Sequence, residues 1–156
     1  LIIDANEGWP EETVRQNLLV AASIGATVVE QPMPAGADEI LTRIPHPVPI
    51  CADESVHSTI DLQGICGRYD YVNVKLDKTG GLTEGVAFVR EARRLGFGVM
   101  VGCMVGTSLA MAPAVLLAQT ADLVDLDGPL LLARDRPNGL VYGPSLVSPP
   151  DRTLWG

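Results

Sequence analysis

The chain has 156 residues, is 47% hydrophobic and carries a formal net charge of -8, a size and composition that support one domain with a real core. The acidity and the lack of a basic stripe exclude a nucleic-acid surface, and no apolar run approaches the roughly 18 residues of a membrane span. The opening residues do not read as a signal peptide, and Cys51, Cys66 and Cys103, odd in number and set among apolar residues, read as reduced, buried thiols of a cytoplasmic protein.

Strand-like and helix-like patterns then alternate. Leu1–Asp4 reads as a strand. Pro10–Ile24 reads as a helix with Pro10, Glu11 and Glu12 in its first turn and Gly25 closing it. A strand at Thr27–Glu30 precedes a short helix at Ala37–Ile44. Val48–Asp53 is the next strand and Ser58–Cys66 the next helix, stopped by Gly67. Tyr71–Leu76 is a strand that carries a lysine, Lys75, and runs into a Gly80-Gly81 turn with Asp77 and Lys78 as turn residues. A long amphipathic helix follows at Leu82–Leu95, then a strand at Val99–Cys103, a helix at Ser108–Gln119 and a strand at Leu123–Leu126. The first unit thus covers residues 1–128. The Pro- and Gly-rich tail, residues 129–156, reads as irregular, with a short hairpin around Pro137-Asn-Gly139.

The strand ends Asp4, Glu30, Asp53, Lys75, Gly102 and Asp127 recur every 22 to 27 positions. A βα unit repeated at that interval gives parallel strands joined by crossover helices. A doubly wound nucleotide-binding sheet would carry a GxGxxG loop after its first strand, and Asp4-Ala-Asn-Glu-Gly-Trp9 contains none. A barrel instead places its working residues at the carboxyl ends of many strands, where the charges lie here. The fold expected is therefore α/β, a partial TIM-type (β/α) barrel with about six of the eight strands. The two remaining strands are expected before Leu1.

Three carboxylates closing three apolar runs, Asp4, Glu30 and Asp53, would converge on one face and repel unless a cation sits among them. Hard oxygen donors from separate strands suit Mg2+. The thiol and imidazole sets that zinc prefers are absent, since His46 and His57 are not spaced as a ligand pair. Each acid alone is better explained by a helix cap or a solvated loop end, whereas three in register, each closing an apolar run, favour a metal site. Lys75, one strand further round, reads either as a base whose pKa is lowered beside a metal or as a structural salt bridge to Asp53 or Glu54.

The set Asp4-Ala-Asn6, Glu30-Gln-Pro32, Ala52-Asp-Glu-Ser55 and Asn73-Val-Lys-Leu76 with Gly80-Gly81 resembles the enolase superfamily, in its muconate-cycloisomerase-like subgroup. The resemblance covers nearly the whole chain. It implies that Asp4, Glu30 and Asp53 bind magnesium and that Lys75 is one of two catalytic acid/bases. Asp125-Leu-Asp127 followed by Gly128-Pro129 is similar to the Asp-x-Asp motif of dipeptide epimerases. That likeness implies that Asp125 and Asp127 hold the ammonium group of a small-molecule dipeptide. Gly102-Cys-Met104 and Gly106-Thr-Ser108 resemble the subgroup's seventh-strand loop, with Met104 as packing or substrate contact. Gly106 stands where many relatives carry an acid, which disfavours muconate-type or succinylbenzoate-type chemistry.

The resemblance further implies a parent enzyme that epimerises an Ala-Glu-like dipeptide through an enediolate, as a homo-oligomer. Its other lysine, in a Lys-x-Lys motif, and its capping domain have no match here and are expected before Leu1. Two other readings stand beside it. One takes the chain as a non-catalytic fragment with a partial metal site. The other keeps the superfamily and changes the reaction to cycloisomerisation, dehydration or another racemisation.

Overall fold

The computed structural model of the protein describes residues 1–155. Six strands, β1 (Ile2–Asp4), β2 (Val28–Glu30), β3 (Ile50–Ala52), β4 (Tyr71–Val74), β5 (Gly98–Val101) and β6 (Leu123–Val124), pair in sequence order. Every pairing is parallel. The sheet curls into a half-barrel, so the partial TIM-type barrel expected from the spacing is the fold observed. The helices are α1 (Glu11–Ser23), α2 (Leu76–Thr79), α3 (Leu82–Arg94), α4 (Ser108–Ala118) and α5 (Arg152–Trp155).

Because side chains alternate along a strand, the four central strands each contribute to two separate apolar layers. Val29, Ile50, Ala52, Val72, Val74, Val99 and Val101 belong to the main core, which takes in Val14 and Leu18 of α1, Phe88 and Ala92 of α3, and Met111 and Val115 of α4. Val28, Cys51 and Met100, one step out of phase, form a second small cluster with Tyr71 and Leu123. The large cluster lies beneath the helices on the convex side; the small one lines the concave side, the inside of the barrel. Two positions further along each strand, the concave face carries Glu30, Asp53, Asn73, Gly102 and Asp125 in place of the apolar residues.

Two expected helices are only 3-10 turns, Glu39–Arg43 and Leu62–Ile65. In the first, Ile44 is forced to extended backbone ahead of Pro45. Asp38 spends its side chain on Ser55, Arg68 and Tyr69 rather than on capping. In the second, Asp61 binds the backbone N–H groups of His57 and Ser58 and makes a local turn instead of a helix start.

A third difference falls at the centre of the chain. β4 ends at Val74, and Lys75 is the cap of α2, a single helical turn. Gly80 closes that turn at φ 92°, a left-handed conformation suited to glycine. The Gly-Gly pair is therefore a helix stop.

In the tail, Pro137 and Asn138 make a turn, but the antiparallel bridge joins Tyr142 to Val147, beyond the expected hairpin. α5 packs on α4 with Leu154 fully buried. Of the three free thiols only Cys51 is buried; Cys66 is exposed and Cys103 half-buried, so the expectation of three buried thiols is met at one position. Among the described residues, no helix is long and apolar enough to cross a membrane.

Candidate active site

The inward phase of β1, β2, β3, β4 and β6 brings the predicted residues to the carboxyl end of the sheet. Asp4 and Glu30 are directly opposed across β1 and β2. Glu30 is opposite Cys51, and Asp53 lies on the same face two residues beyond it. Glu30 and Asp53 are each 4% exposed, while Asp4 lies open to solvent and accepts the Asn6 N–H at 2.8 Å.

Asp53 is the electrostatic centre. Lys75 Nζ donates to Asp53 Oδ2 at 2.6 Å. Lys78 Nζ donates to Asp53 Oδ1 and, at 2.8 Å, to the Asp53 carbonyl. These are the only two lysines in the sequence, and they meet on one carboxylate. The single turn of α2 makes this possible by returning Lys78 to the side of Lys75. Burial pushes the Asp53 carboxyl up, but the hydrogen bonds and charges of both lysines outweigh it, and the net shift is downward. For Lys75 burial acts downward. The hydrogen bond and charge of Asp53, with help from Glu30 and Glu54, carry the ammonium above its ordinary value. The salt bridge from Lys75 to Asp53 is therefore present, and it favours the ammonium form.

Glu30 has the opposite balance. Burial raises its carboxyl to about 7, Asp53 and Asp4 push the same way, and the Asn73 hydrogen bond only partly offsets them. Asn73 Nδ2 donates to Glu30 Oε1 at 2.6 Å. Asn73 fits there because position 102 is a glycine, whose side-chain direction would put a Cβ 2.5 Å from Asn73 Oδ1. That Oδ1 is buried without a hydrogen-bond partner. Neither Asn73 nor Lys78 stands out as functional in the sequence. The available signal for Asn73 is that a polar residue stands two before Lys75 in an apolar strand.

On the far side, Asp125 and Asp127 are exposed at the end of β6. Burial raises the Asp125 carboxyl, and the charges of Asp127 and Asp4 add to this against Lys75. Asp125 is therefore within the field of the central cluster. Both aspartates line a cleft of about 260 Å3 with Leu130, Tyr142 and Leu146. A larger cavity, about 610 Å3, lies between α3 and α4 and touches none of these residues. Met104 and Val105, beyond β5, are 51% and 64% exposed, so Met104 is not packed in the core.

Among the described residues, no three His, Cys, Asp or Glu side chains are gathered in a metal-holding arrangement. The oxygens of Asp53 face ammonium groups, and one oxygen of Glu30 faces Asn73. The donor chemistry nonetheless fits a hard divalent cation, since three carboxylates share adjacent strand ends. The Glu30 carboxyl is raised chiefly by burial, with the charges of Asp53 and Asp4 adding to it, and a cation beside it would favour its ionised form.

A curled parallel sheet with acids, an amide and a lysine on its carboxyl ends matches the end of a (β/α) barrel that carries working residues. The chain belongs to the enolase C-terminal domain-like family, whose model matches residues 1–132. Over 155 residues it is 49% identical to an N-acetyl-D-glutamate racemase from Pseudoalteromonas sp., covering 99% of this chain and 49% of that protein. It is also 49% identical over 135 residues to the L-Ala-D/L-Glu epimerase of Escherichia coli K12, covering 86% of this chain and 42% of the epimerase. An enolase family member from Agrobacterium tumefaciens with homology to dipeptide epimerases, solved with bound sodium and L-Ala-L-Glu, superposes with a TM-score of 0.97. It is 62% identical, over 99% of this chain and 48% of that one. The chain spans about half the length of the curated relatives it matches.

Proposed function

We propose that this chain supplies much of the active site of a Mg2+-dependent dipeptide epimerase that acts on an Ala-Glu-like substrate. The observation that carries the reading is the polarity of the mouth: Glu30, Asp53 and Lys75 at its centre and the Asp125–Asp127 pair at its rim. A zwitterion about one dipeptide long matches that arrangement, its carboxylate towards the centre and its ammonium towards the two aspartates. Asp4, Glu30 and Asp53 are the residues that would hold Mg2+. When bound, the cation would supply positive charge opposite the carboxylate as its α-carbon loses a proton, a proton otherwise very weakly acidic.

Lys75 is placed to exchange that α-proton through Nζ. As an ammonium paired with Asp53 it is in the donor form; as a free amine it accepts. Asn73 and Lys78 keep Glu30 and Asp53 oriented from outside the substrate space. Epimerisation needs a second acid/base on the other face of the α-carbon, and no Lys-x-Lys pair occurs in this sequence. The test, on the intact parent enzyme, is proton NMR in D2O with Mg2+ and L-Ala-L-Glu. The α-proton signal of the carboxyl-terminal residue is expected to disappear. Persistence of that signal across a range of dipeptides would sink the proposal.

The 49% identity to an N-acetyl-D-glutamate racemase favours a second reading, racemisation of an N-acylated amino acid. Such a substrate keeps the amide nitrogen of a dipeptide but has a bare methyl where the dipeptide carries its ammonium group, so Asp127 separates the two. If the substrate is a dipeptide, Asp127→Asn removes a charge-assisted contact worth about 1.5–3 kcal/mol and raises KM roughly 10- to 100-fold. Turnover of N-acetylglutamate by the same variant is expected to change little. The two KM values, measured side by side, decide it.

A further inference from the structure

Gln31 follows Glu30 directly and is fully buried, with a backbone φ of 30° that a non-glycine residue seldom adopts. Its main chain joins three strand ends, because its N–H donates to the Cys51 carbonyl at 2.8 Å and its carbonyl accepts from Glu7 N–H at 2.8 Å. Its side chain does the rest. Oε1 accepts the backbone N–H groups of Asp53 at 2.8 Å and Ser55 at 3.2 Å. Nε2 lies within hydrogen-bond distance of the Met33 carbonyl at 2.8 Å, Ser55 Oγ at 2.8 Å and Tyr69 OH at 2.9 Å, three acceptors that share its two hydrogens.

The direction of that amide is reinforced from a distance. Asp38 is fully buried and its Oδ2 accepts both Ser55 Oγ–H at 2.7 Å and Tyr69 O–H at 2.6 Å, while Arg68 Nη1 donates to Oδ1 at 2.5 Å. Each hydroxyl has one hydrogen. The two hydroxyls also lie 3.1 Å apart, with either able to donate to the other. With both hydrogens on the carboxylate the two oxygens accept, which agrees with the amide direction that the Asp53 and Ser55 N–H groups and the Met33 carbonyl also favour. An apolar side chain of similar volume would fill the same space, but it would leave those two N–H groups and two hydroxyl lone-pair sets unpaired.

We propose that Gln31, oriented by Asp38 through Ser55 and Tyr69, is a positioning residue that fixes Asp53 against Glu30 across the ends of β2 and β3. It is fully buried and acts through the residues on either side. In the Mg2+ reading proposed above, on which this inference rests, it sets the spacing of two of the three carboxylates.

The experiment is Mn2+ binding to the native protein, followed by electron paramagnetic resonance, with thermal melting of each variant alongside. Gln31→Met is expected to lower Mn2+ affinity about 10- to 100-fold, the range for losing a group that orients a metal ligand. Gln31→Glu keeps an acceptor for the Asp53 N–H and is expected to retain more affinity than Gln31→Met. Tyr69→Phe removes one hydroxyl at the edge of the relay and serves if Gln31→Met does not fold; its expected loss is smaller but in the same direction. Unchanged Mn2+ affinity in folded Gln31→Met, or in Tyr69→Phe, overturns the inference and leaves Gln31 a packing residue. If the unsubstituted protein binds no Mn2+, the metal reading fails on its own. Amide hydrogen exchange then decides the positioning claim. The Asp53 and Ser55 amides should exchange about tenfold faster or more in the variants while α3 amides do not, and uniform exchange overturns it.

Discussion

Replacement of Lys75 by alanine is expected to cut epimerisation of L-Ala-L-Glu by about 10²–10⁴-fold, the usual contribution of a positioned acid/base. The reasoning starts from β4. Its inward phase places Asn73 and Lys75 on the concave face, and the cap of α2 leaves the Lys75 ammonium 2.6 Å from Asp53 rather than in solvent. Loss of the amine removes the group that handles the proton on one face only. In the intact enzyme proposed above, epimerisation should therefore fall by that factor, while exchange of the α-proton of one stereoisomer with D2O persists through the second acid/base on the opposite face, which this sequence does not supply. Running both L-Ala-L-Glu and L-Ala-D-Glu in the NMR assay checks this asymmetry. Equal turnover of variant and natural protein would remove Lys75 from the chemistry and leave it as the structural partner of Asp53.

Glu30→Gln is expected to do the reverse of what a site substitution usually does and stabilise the protein in the absence of divalent cations. The folded-state carboxyl titrates at about 7 against an ordinary value of 4.5, because it is buried near Asp53 and Asp4. Between those two pH values the unfolded chain has released its proton and the folded chain still holds it. Stability must then fall as pH rises from 4.5 to about 7 and stay low above that. At 1.36 kcal/mol per unit the loss is about 3 kcal/mol. Glutamine keeps an oxygen for Asn73 and carries no charge, so the variant should melt higher at pH 8 and show a flatter pH profile. It should also lose Mg2+ binding. Asp53→Asn moves the other way, since it leaves the ammonium groups of Lys75 and Lys78 without their counter-ion, and breaking such a pair costs about 3 kcal/mol or more. Melting curves at pH 5 and pH 8 with a chelator test both. A lower melting temperature for Glu30→Gln at pH 8 refutes the assignment of Glu30 as a carboxyl raised by burial.

The parts of this site that could be read from sequence are those fixed by the period of a strand. Asp4, Glu30, Asp53 and Lys75 each close an apolar run, and a parallel sheet in sequence order has little choice but to bring such ends together. What escaped are contacts set by local geometry that pattern does not encode. Lys78 looks like a turn residue because the helical turn at Leu76–Thr79 is four residues long, too short for any periodicity. Gln31 sits between a strand and a proline, where a loop residue is expected, and its role depends on Asp38 and Tyr69, 7 and 38 positions away. The segments 37–44 and 58–66 carry helix-like composition, yet Asp38 and Asp61 use their carboxylates for tertiary and turn contacts and the helices do not form.

The placement of both lysines on Asp53 also gives the protein an unusual labelling chemistry. Every other basic side chain apart from two histidines is arginine, and the lysine side chains are only 15% and 17% exposed. Within these 156 residues an amine-selective reagent such as an activated ester therefore meets no lysine other than Lys75 and Lys78. The extent of acylation reports directly on whether the Asp53 cluster is closed. It should be slow in the folded protein, rise on unfolding, and change when a ligand displaces either ammonium group. Peptide mapping of Lys75 and Lys78 then follows the centre of the barrel without any engineered probe.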